Sequence, residues 1–275
     1  KRFLQMYQDL LMNKISTAIN ARSASFLSDL LTVSKRAIRL ALREPEAIIP
    51  GILIPLFFFI VNVGALSDVS NFVGVDNYKA FQLPVAIVFA VTGISRAPSL
   101  VTDIQSGYFD RLLISPVSRR ALLLGLMVAD FLVVVALSIP VIILGLALGV
   151  TFVTGPLGIL AFILLGALWG VAFTGFPYAI ALKTGNPGAV NSSFLLFFPF
   201  AFLTTAFLPK EALTGWLATV ASYNPVTYLL DGLRAITSSG WELDKILPAL
   251  GAILAVAVLS QTLAFNALRG RTKRK

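Results

Sequence analysis

Six long apolar segments dominate this chain, at 47–66, 80–102, 121–150, 157–182, 189–208 and 246–268. Each has roughly the 20 apolar residues a helix needs to cross a bilayer core of about 30 Å. Helix is the form they must take, because lipid offers no water to satisfy backbone groups. Composition closes the alternatives. The chain is 57% hydrophobic and 13% charged, whereas a soluble domain carries about a quarter charged residues. A soluble globule of 275 residues could not hide that much apolar surface. The expected fold is therefore an all-α integral membrane protein with six transmembrane helices. Pro50, Pro55, Pro84, Pro98, Pro140, Pro177 and Pro199 fall inside the segments, which predicts kinks stabilised by neighbouring helices. The third segment is long enough that it must tilt or project.

Six passes put both termini on one side. The termini and the loops 103–120 and 183–188 carry 17 Lys and Arg, against 4 in the loops 67–79, 151–156 and 209–245. The positive-inside rule then places both termini in the cytoplasm, with the chain in the cell membrane. The net charge of +9 is read as these basic cytoplasmic segments and not as a nucleic-acid surface. No pattern of a cleavable signal peptide is visible at the start, so none is expected.

Two regions are too polar to span. Residues 1–46 carry apolar residues at helical spacing, at Phe3, Met6, Tyr7, Leu10, Leu11, Ile15, Ala18 and Ile19, and again at Phe26, Leu27, Leu30, Leu31, Ile38 and Leu42. Lys35, Arg39 and Arg43 fall four apart on another face. This predicts an N-terminal amphipathic interfacial helix with basic residues toward anionic headgroups. The region 209–245 holds an apolar stripe of Val226, Leu229, Leu230, Leu233 and Ile236 after Asn224-Pro225, flanked by Trp216, Tyr223 and Trp241. It reads as short external re-entrant helices at interfacial depth.

Chemistry is sparse. The chain has no Cys and no His, which removes thiol and imidazole catalysis and zinc sites of those ligands. No phosphate-binding Gly-x-x-x-x-Gly-Lys-Ser/Thr run occurs, so the chain is not expected to hydrolyse ATP itself. No catalytic residue and no metal ligand is assigned. Gly166 and Gly170, and Gly145 and Gly149, have Gly-x-x-x-Gly spacing, a weak packing signal. Asn191-Ser192-Ser193 matches a glycosylation sequon on the cytoplasmic side and is set aside. Arg96 and Asp130 are the ionisable residues well inside segments, at similar depth, and are expected to form an intramembrane charge pair.

Three stretches, LREPEAIIPGILIPLFFFIVNVGAL (42–66), GYFDRLLISPVSRRALLLG (107–125) and FLPKEALTGWLATVASYNPVTYLLDGLRAI (207–236), resemble the permease subunits of ABC-2 type ABC exporters. The nearest subgroup is the drug-export permeases related to daunorubicin-resistance proteins. The resemblance implies a half-transporter. Two such chains, as homo- or heterodimer, would sit on two separate ATP-binding cassette subunits, which would bind ATP and Mg. No cofactor is expected in this chain. The resemblance maps the loop 103–120 to the segment that couples to the ATPase, with Gly107, Asp110, Arg111, Ser115, Pro116 and Arg119 as its site residues. It maps Asn224, Pro225, Leu233 and Arg234 to the external re-entrant motif. On this reading residues 1–46 form the cytoplasmic connecting helix region, 47–268 the transmembrane domain and 269–275 a basic tail. The cargo would be a hydrophobic or amphipathic molecule, drug-like or lipid.

Glycan exporters of the same superfamily have aromatic-lined channels. Phe57 on span one and Phe194, Phe197 and Phe198 on span five are therefore candidates for lining the path, although the spacing equally suits lipid-facing side chains, the preferred reading. The alternatives are an ABC-2 exporter of a polysaccharide or glycolipid, an ion-coupled transporter or channel built on Arg96 and Asp130, and a membrane enzyme using Asp103 and Asp110.

Overall fold

The computed structural model describes residues 25–66, 75 and 77–273, and every regular element among them is helical. The apolar repeat at Phe3–Ile19 and the side chain of Phe194 lie outside the described residues.

Helix α1 (Phe26–Ala41) begins at Ser25, whose side chain accepts a hydrogen bond from the Ser28 amide. Its buried face is Asp29, Ser34, Ala37 and Ala41, while Phe26, Leu27 and Leu31 stay exposed. Lys35, Arg39 and Arg43 are exposed as well. α2 (Pro45–Leu66) carries the first apolar segment and remains helical through Pro50 and Pro55. The second segment is α3 (Tyr78–Thr92) followed by α4 (Ala97–Gln105). α5 (Tyr108–Ile114) leads into α6 (Arg119–Ala147), and α7 (Gly155–Thr184) returns. α8 (Pro187–Ser192) and α9 (Phe197–Phe202) follow, then α10 (Gly215–Tyr223), α11 (Pro225–Arg234) and α12 (Leu243–Lys273).

Five helical stretches among the described residues are long and apolar enough to cross a membrane: Ile48–Leu66, Tyr78–Gln105, Arg119–Ala147, Gly155–Thr184 and Leu243–Thr272. The second is interrupted between Thr92 and Ala97. Pro98 opens α4 there and cannot donate back to residue 94, so the ladder stops. The continuous helix expected over 189–208 is absent. That segment breaks into α8, a 3₁₀ turn at Ser193–Leu196 and α9, then runs irregularly over 203–208. Pro199 has no N–H for the carbonyl of residue 195, which lies in the 3₁₀ turn.

α7 is the centre of the bundle, with α3, α4, α6 and α12 packed on it. Gly166 and Gly170 face α3. A methyl at Gly170 would lie 3.0 Å from the Val91 carbonyl oxygen, and one at Gly166 2.8 Å from the Ile87 side chain. The glycine pair thus serves helix packing within the chain. Gly175 faces the Ser260 backbone in the same way on α12. There the Ser260 hydroxyl donates to the Ala172 carbonyl, and Gln261 Nε2 donates to that of Val171 at 2.9 Å.

Candidate functional site

The segment expected as the loop 103–120 is largely helical. Gly107 adopts φ 72°, a left-handed turn that suits glycine, and starts α5. Ser115 closes it, its hydroxyl donating to the Leu112 carbonyl at 2.7 Å. Phe109 is buried and anchors the helix, Asp110 is half-buried, and Arg111, Pro116 and Arg119 are exposed. Ile114 is 87% exposed, an outward apolar side chain at the tip.

Helix α1 braces this element at both ends. Arg36 forms a two-pronged ion pair with Asp103, at 2.6 and 2.7 Å, and its guanidinium lies 4.3 Å above the Tyr108 ring. The hydrogen bond to Asp103 is the chief reason that the Arg36 pKa lies above its ordinary value. At the other end, Asp29 Oδ2 accepts the Ser118 amide at 2.9 Å. Ser118 caps α6 without a side-chain bond of its own. Asp29 therefore acts as an N-cap supplied by another helix. Gly125 lets α1 lie this close, since a methyl there would meet Val33 at 2.8 Å. Asp103 and Tyr108 lie within the segment, but neither Asp29 nor Arg36 carries a periodic or motif signal that would connect it there.

Arg96 and Asp130 are brought together at the break in the second segment, 3% and 0% exposed. Asp130 Oδ1 accepts the Arg96 amide at 2.8 Å and lies 3.8 Å from Arg96 Nε. The Tyr178 hydroxyl donates to Asp130 Oδ2, and Glu44 Oε2 lies 3.3 Å from Arg96 Nη1. The carboxylate thus caps α4 and holds α6, α7 and the start of α2 in one network. The arrangement stabilises a junction, reaches the surface at the part-exposed Glu44 and leaves Arg96 Nε without a hydrogen bond. Tyr178 was findable from sequence: a Tyr hydroxyl in an apolar helix needs a partner, and its distance from the helix end is about 9 Å by helical rise, like that of Arg96.

On the opposite side, the irregular stretch after α9 is fastened by side chains. Asn224 Nδ2 donates to the Phe200 and Leu203 carbonyls, both at 2.8 Å, while its Oδ1 caps α11 through the Val226 amide at 2.9 Å. Arg234 donates to Thr205 O at 2.7 Å, Thr205 Oγ1 at 3.0 Å and Phe81 O at 3.2 Å, and its guanidinium lies 3.5 Å over the Phe81 ring. Gln82 Nε2 reaches Ala206 O at 3.0 Å, and the Tyr78 hydroxyl reaches Phe207 O at 3.2 Å. Four side chains thus satisfy the carbonyls of residues 200, 203, 205, 206 and 207 around the broken helix. Leu233 is fully buried, and Pro225 opens α11. Trp216 and Tyr223 are exposed.

The aromatic candidates separate. Phe57 and Phe198 are exposed. Phe197 is 4% exposed and packs edge-on against Phe89 and Phe173, at 5.5 and 5.7 Å between ring centres, so it does not face lipid within this chain. A cleft of about 290 Å³ lies beside it, lined by Ile54, Pro55, Phe89, Ile94, Phe197 and Phe198. Among the described residues no cluster of three or more Asp or Glu side chains is suited to hold a metal ion.

Residues 28–237 match the family described as ABC-2 type transporter. The chain belongs to that family. The match takes in most of α1, the braced segment, α10 and α11. Among similar proteins is the "Daunorubicin resistance ABC transporter permease protein DrrB1" of Streptomyces coeruleorubidus, 27% identical over 243 residues, covering 85% of this chain and 84% of the relative. The "Putative transport permease ycf38" of Cyanophora paradoxa is 29% identical, covering 78% and 77%. The "Probable doxorubicin resistance ABC transporter permease protein DrrC" of Mycobacterium tuberculosis is 24% identical, covering 78% and 79%.

Proposed function

We propose that this chain is the membrane-spanning permease subunit of an ATP-driven exporter of amphipathic, drug-like molecules. Two copies, or this chain and a related one, pair and rest on two ATP-binding cassette subunits that bind ATP and Mg. The observation that supports this reading is the bracing of the segment 103–118, which contains α5, by α1 in an ABC-2 family chain. ATP is consumed outside the membrane and cargo moves within it, so a stiff element must transmit motion between the two. Arg36, Asp103, Asp29 and Ser118 stiffen one that presents Arg111 and Ile114 outward.

On this reading the chain makes six passes, the fifth by the broken segment through α8 and α9, with both termini in the cytoplasm. The charge bias of 17 against 4 Lys and Arg supports that orientation. α10 and α11 then form the external re-entrant hairpin that closes the path. The exposed apolar face of α2, with Ile54 and Phe57, and the neighbouring cleft at Phe89 and Phe198 suit cargo or a second permease chain. A drug-like cargo is preferred to a glycan because Phe197 spends its ring on Phe89 and Phe173. An ion-coupled mechanism is disfavoured because Asp130 is spent on the Arg96 amide and the Tyr178 hydroxyl as a helix cap.

The test is co-purification from native membranes. An ATP-binding cassette subunit should accompany the tagged chain, and anthracycline should stimulate hydrolysis by the pair in proteoliposomes. Isolation of the chain without any ATPase, together with cargo flux that follows an ion gradient, would sink the proposal.

A further inference from the structure

α6 and α12 both pack on α7 but leave a cleft between them. Its mouth, about 560 Å³, is lined by Arg119 and Arg120 from the start of α6 and by Gln261, Asn266, Arg269 and Thr272 from the end of α12. Its body, about 600 Å³, is lined by Leu124, Val128 and Phe131 on one side, Leu250 and Leu254 on the other, and Leu168 on the floor. The two parts meet at Gln261, which lines both.

From the structure we infer that this cleft is a binding site for one anionic glycerophospholipid, its phosphate at the arginines and an acyl chain along the apolar body. Three features fit that occupant. First, among the described residues the mouth contains no carboxylate, and Arg119, Arg120 and Arg269 make no ion pair. Three guanidinium groups with no described carboxylate beside them, at the ends of two long apolar helices, match a phosphodiester. Second, the apolar body runs along α12 from Gln261 to Leu250, about 17 Å by helical rise. That is close to the depth of one leaflet, half of a core of about 30 Å. Third, Gln261 spends its amide N–H on Val171 O at 2.9 Å, while its Oε1 is buried with no donor. The lipid's hydrated glycerol linkage would lie at this junction of mouth and body, and its bound water supplies the donor. A docked protein segment would match the charge but would have to lie along a slot open to lipid over a leaflet's depth.

The experiment uses the full chain, with any ATPase that accompanies it, in a zwitterionic detergent. The probes are phosphatidylglycerol, phosphatidylcholine with the same acyl chains, and inorganic phosphate. Native mass spectrometry reads retained lipid, and thermal unfolding reads stabilisation. Phosphatidylglycerol should be retained and should raise the unfolding midpoint, whereas phosphatidylcholine and phosphate should do neither. The variant Arg119→Gln/Arg120→Gln/Arg269→Gln should weaken retention about a hundredfold, as expected for three arginines at an anionic surface. Leu254→Trp, which fills the body and leaves the arginines intact, should also weaken it. Should the triple variant fail to fold, a phosphatidylglycerol with a photoreactive acyl chain decides on the wild type, by labelling Val128 and Leu254. Equal retention of the two lipids overturns the inference. So does stabilisation by inorganic phosphate alone, or undiminished retention in both variants. Cross-links from Arg269→Cys to residues 1–24, a second copy or the ATPase, with no lipid label in the cleft, overturn it as well.

Discussion

Arg36 and Asp103 join α1 to the end of α4 through two parallel hydrogen bonds of 2.7 and 2.6 Å. Two-pronged guanidinium–carboxylate pairs fix orientation as well as distance. Arg36 also covers the Tyr108 ring, so one side chain sets the angle between α1, α4 and α5. The pair is partly solvated and contributes about 1 kcal/mol, as such pairs do.

Breaking that pair should therefore cost little stability and much coupling. Arg36→Ala and Asp103→Ala should each lower the unfolding midpoint by about 2–4 °C. Each should also reduce cargo-stimulated ATP hydrolysis by the assembled transporter more than basal hydrolysis. Arg36→Lys should not restore it, because a lysine cannot make the two-pronged contact. Full coupling in all three variants would remove the brace from the mechanism.

The buried pair behaves differently. Arg96 lies within a network that includes Asp130, Tyr178 and Glu44. Arg96→Met strands the Asp130 carboxylate in the bundle, a loss of about 3–5 kcal/mol. The double change Arg96→Met/Asp130→Asn removes both charges and leaves an amide oxygen to accept the backbone N–H at position 96. It should recover folded protein relative to Arg96→Met, read as the monodisperse fraction in size-exclusion chromatography. A double variant no better than the single would mean that the two residues are energetically independent.

Much of this architecture is legible in the residues themselves. Apolar length alone locates the spans at 47–66, 121–150, 157–182 and 246–268, and charge scarcity singles out Arg96 and Asp130. Asn224-Pro225 marks the start of α11, because Asn caps and Pro opens a helix. What fails is continuity. Pro98 and Pro199 read equally as kinks or breaks, and the choice depends on tertiary partners. At 93–96 the partner is Asp130; at 203–207 the partners are Asn224, Arg234, Gln82 and Tyr78. Likewise, Asp29 and Arg36 look like ordinary residues of an amphipathic helix until α6 and α4 are laid beside them. Contacts this distant in sequence leave no periodic trace.

Arg234 gives a test of the irregular stretch after α9. It donates to two carbonyls and a hydroxyl while stacked on Phe81. Arg234→Lys retains the charge but cannot reproduce the planar fork. It leaves buried carbonyls unsatisfied, at about 1–3 kcal/mol each. The stretch 203–207 should then open, raising hydrogen exchange there and proteolysis at Lys210, with the spans intact. Unchanged protection across 203–207 would mean that Asn224 and Gln82 hold the stretch without it.

The outward face of α5 carries the most direct consequence of the proposed coupling. Phe109 is buried and fixes the helix in the bundle, whereas Arg111 and Ile114 are exposed. An exposed isoleucine at the tip of a braced helix has no role in folding, and changing it should cost within about 0.5 kcal/mol. A charge-assisted contact from Arg111 and an apolar contact from Ile114 together suit a groove on an ATPase subunit. Arg111→Glu/Ile114→Asp should keep the unfolding midpoint and the membrane yield near wild type. It should abolish co-purification of the ATPase and cargo-stimulated hydrolysis. Arg111→Lys/Ile114→Leu, which preserves charge and apolar bulk, should retain most of both. Loss of coupling in the charge-reversing variant but not in the conservative one separates docking from a general fault in the fold. Wild-type co-purification and hydrolysis in the charge-reversing variant would place the ATPase contact elsewhere on the chain.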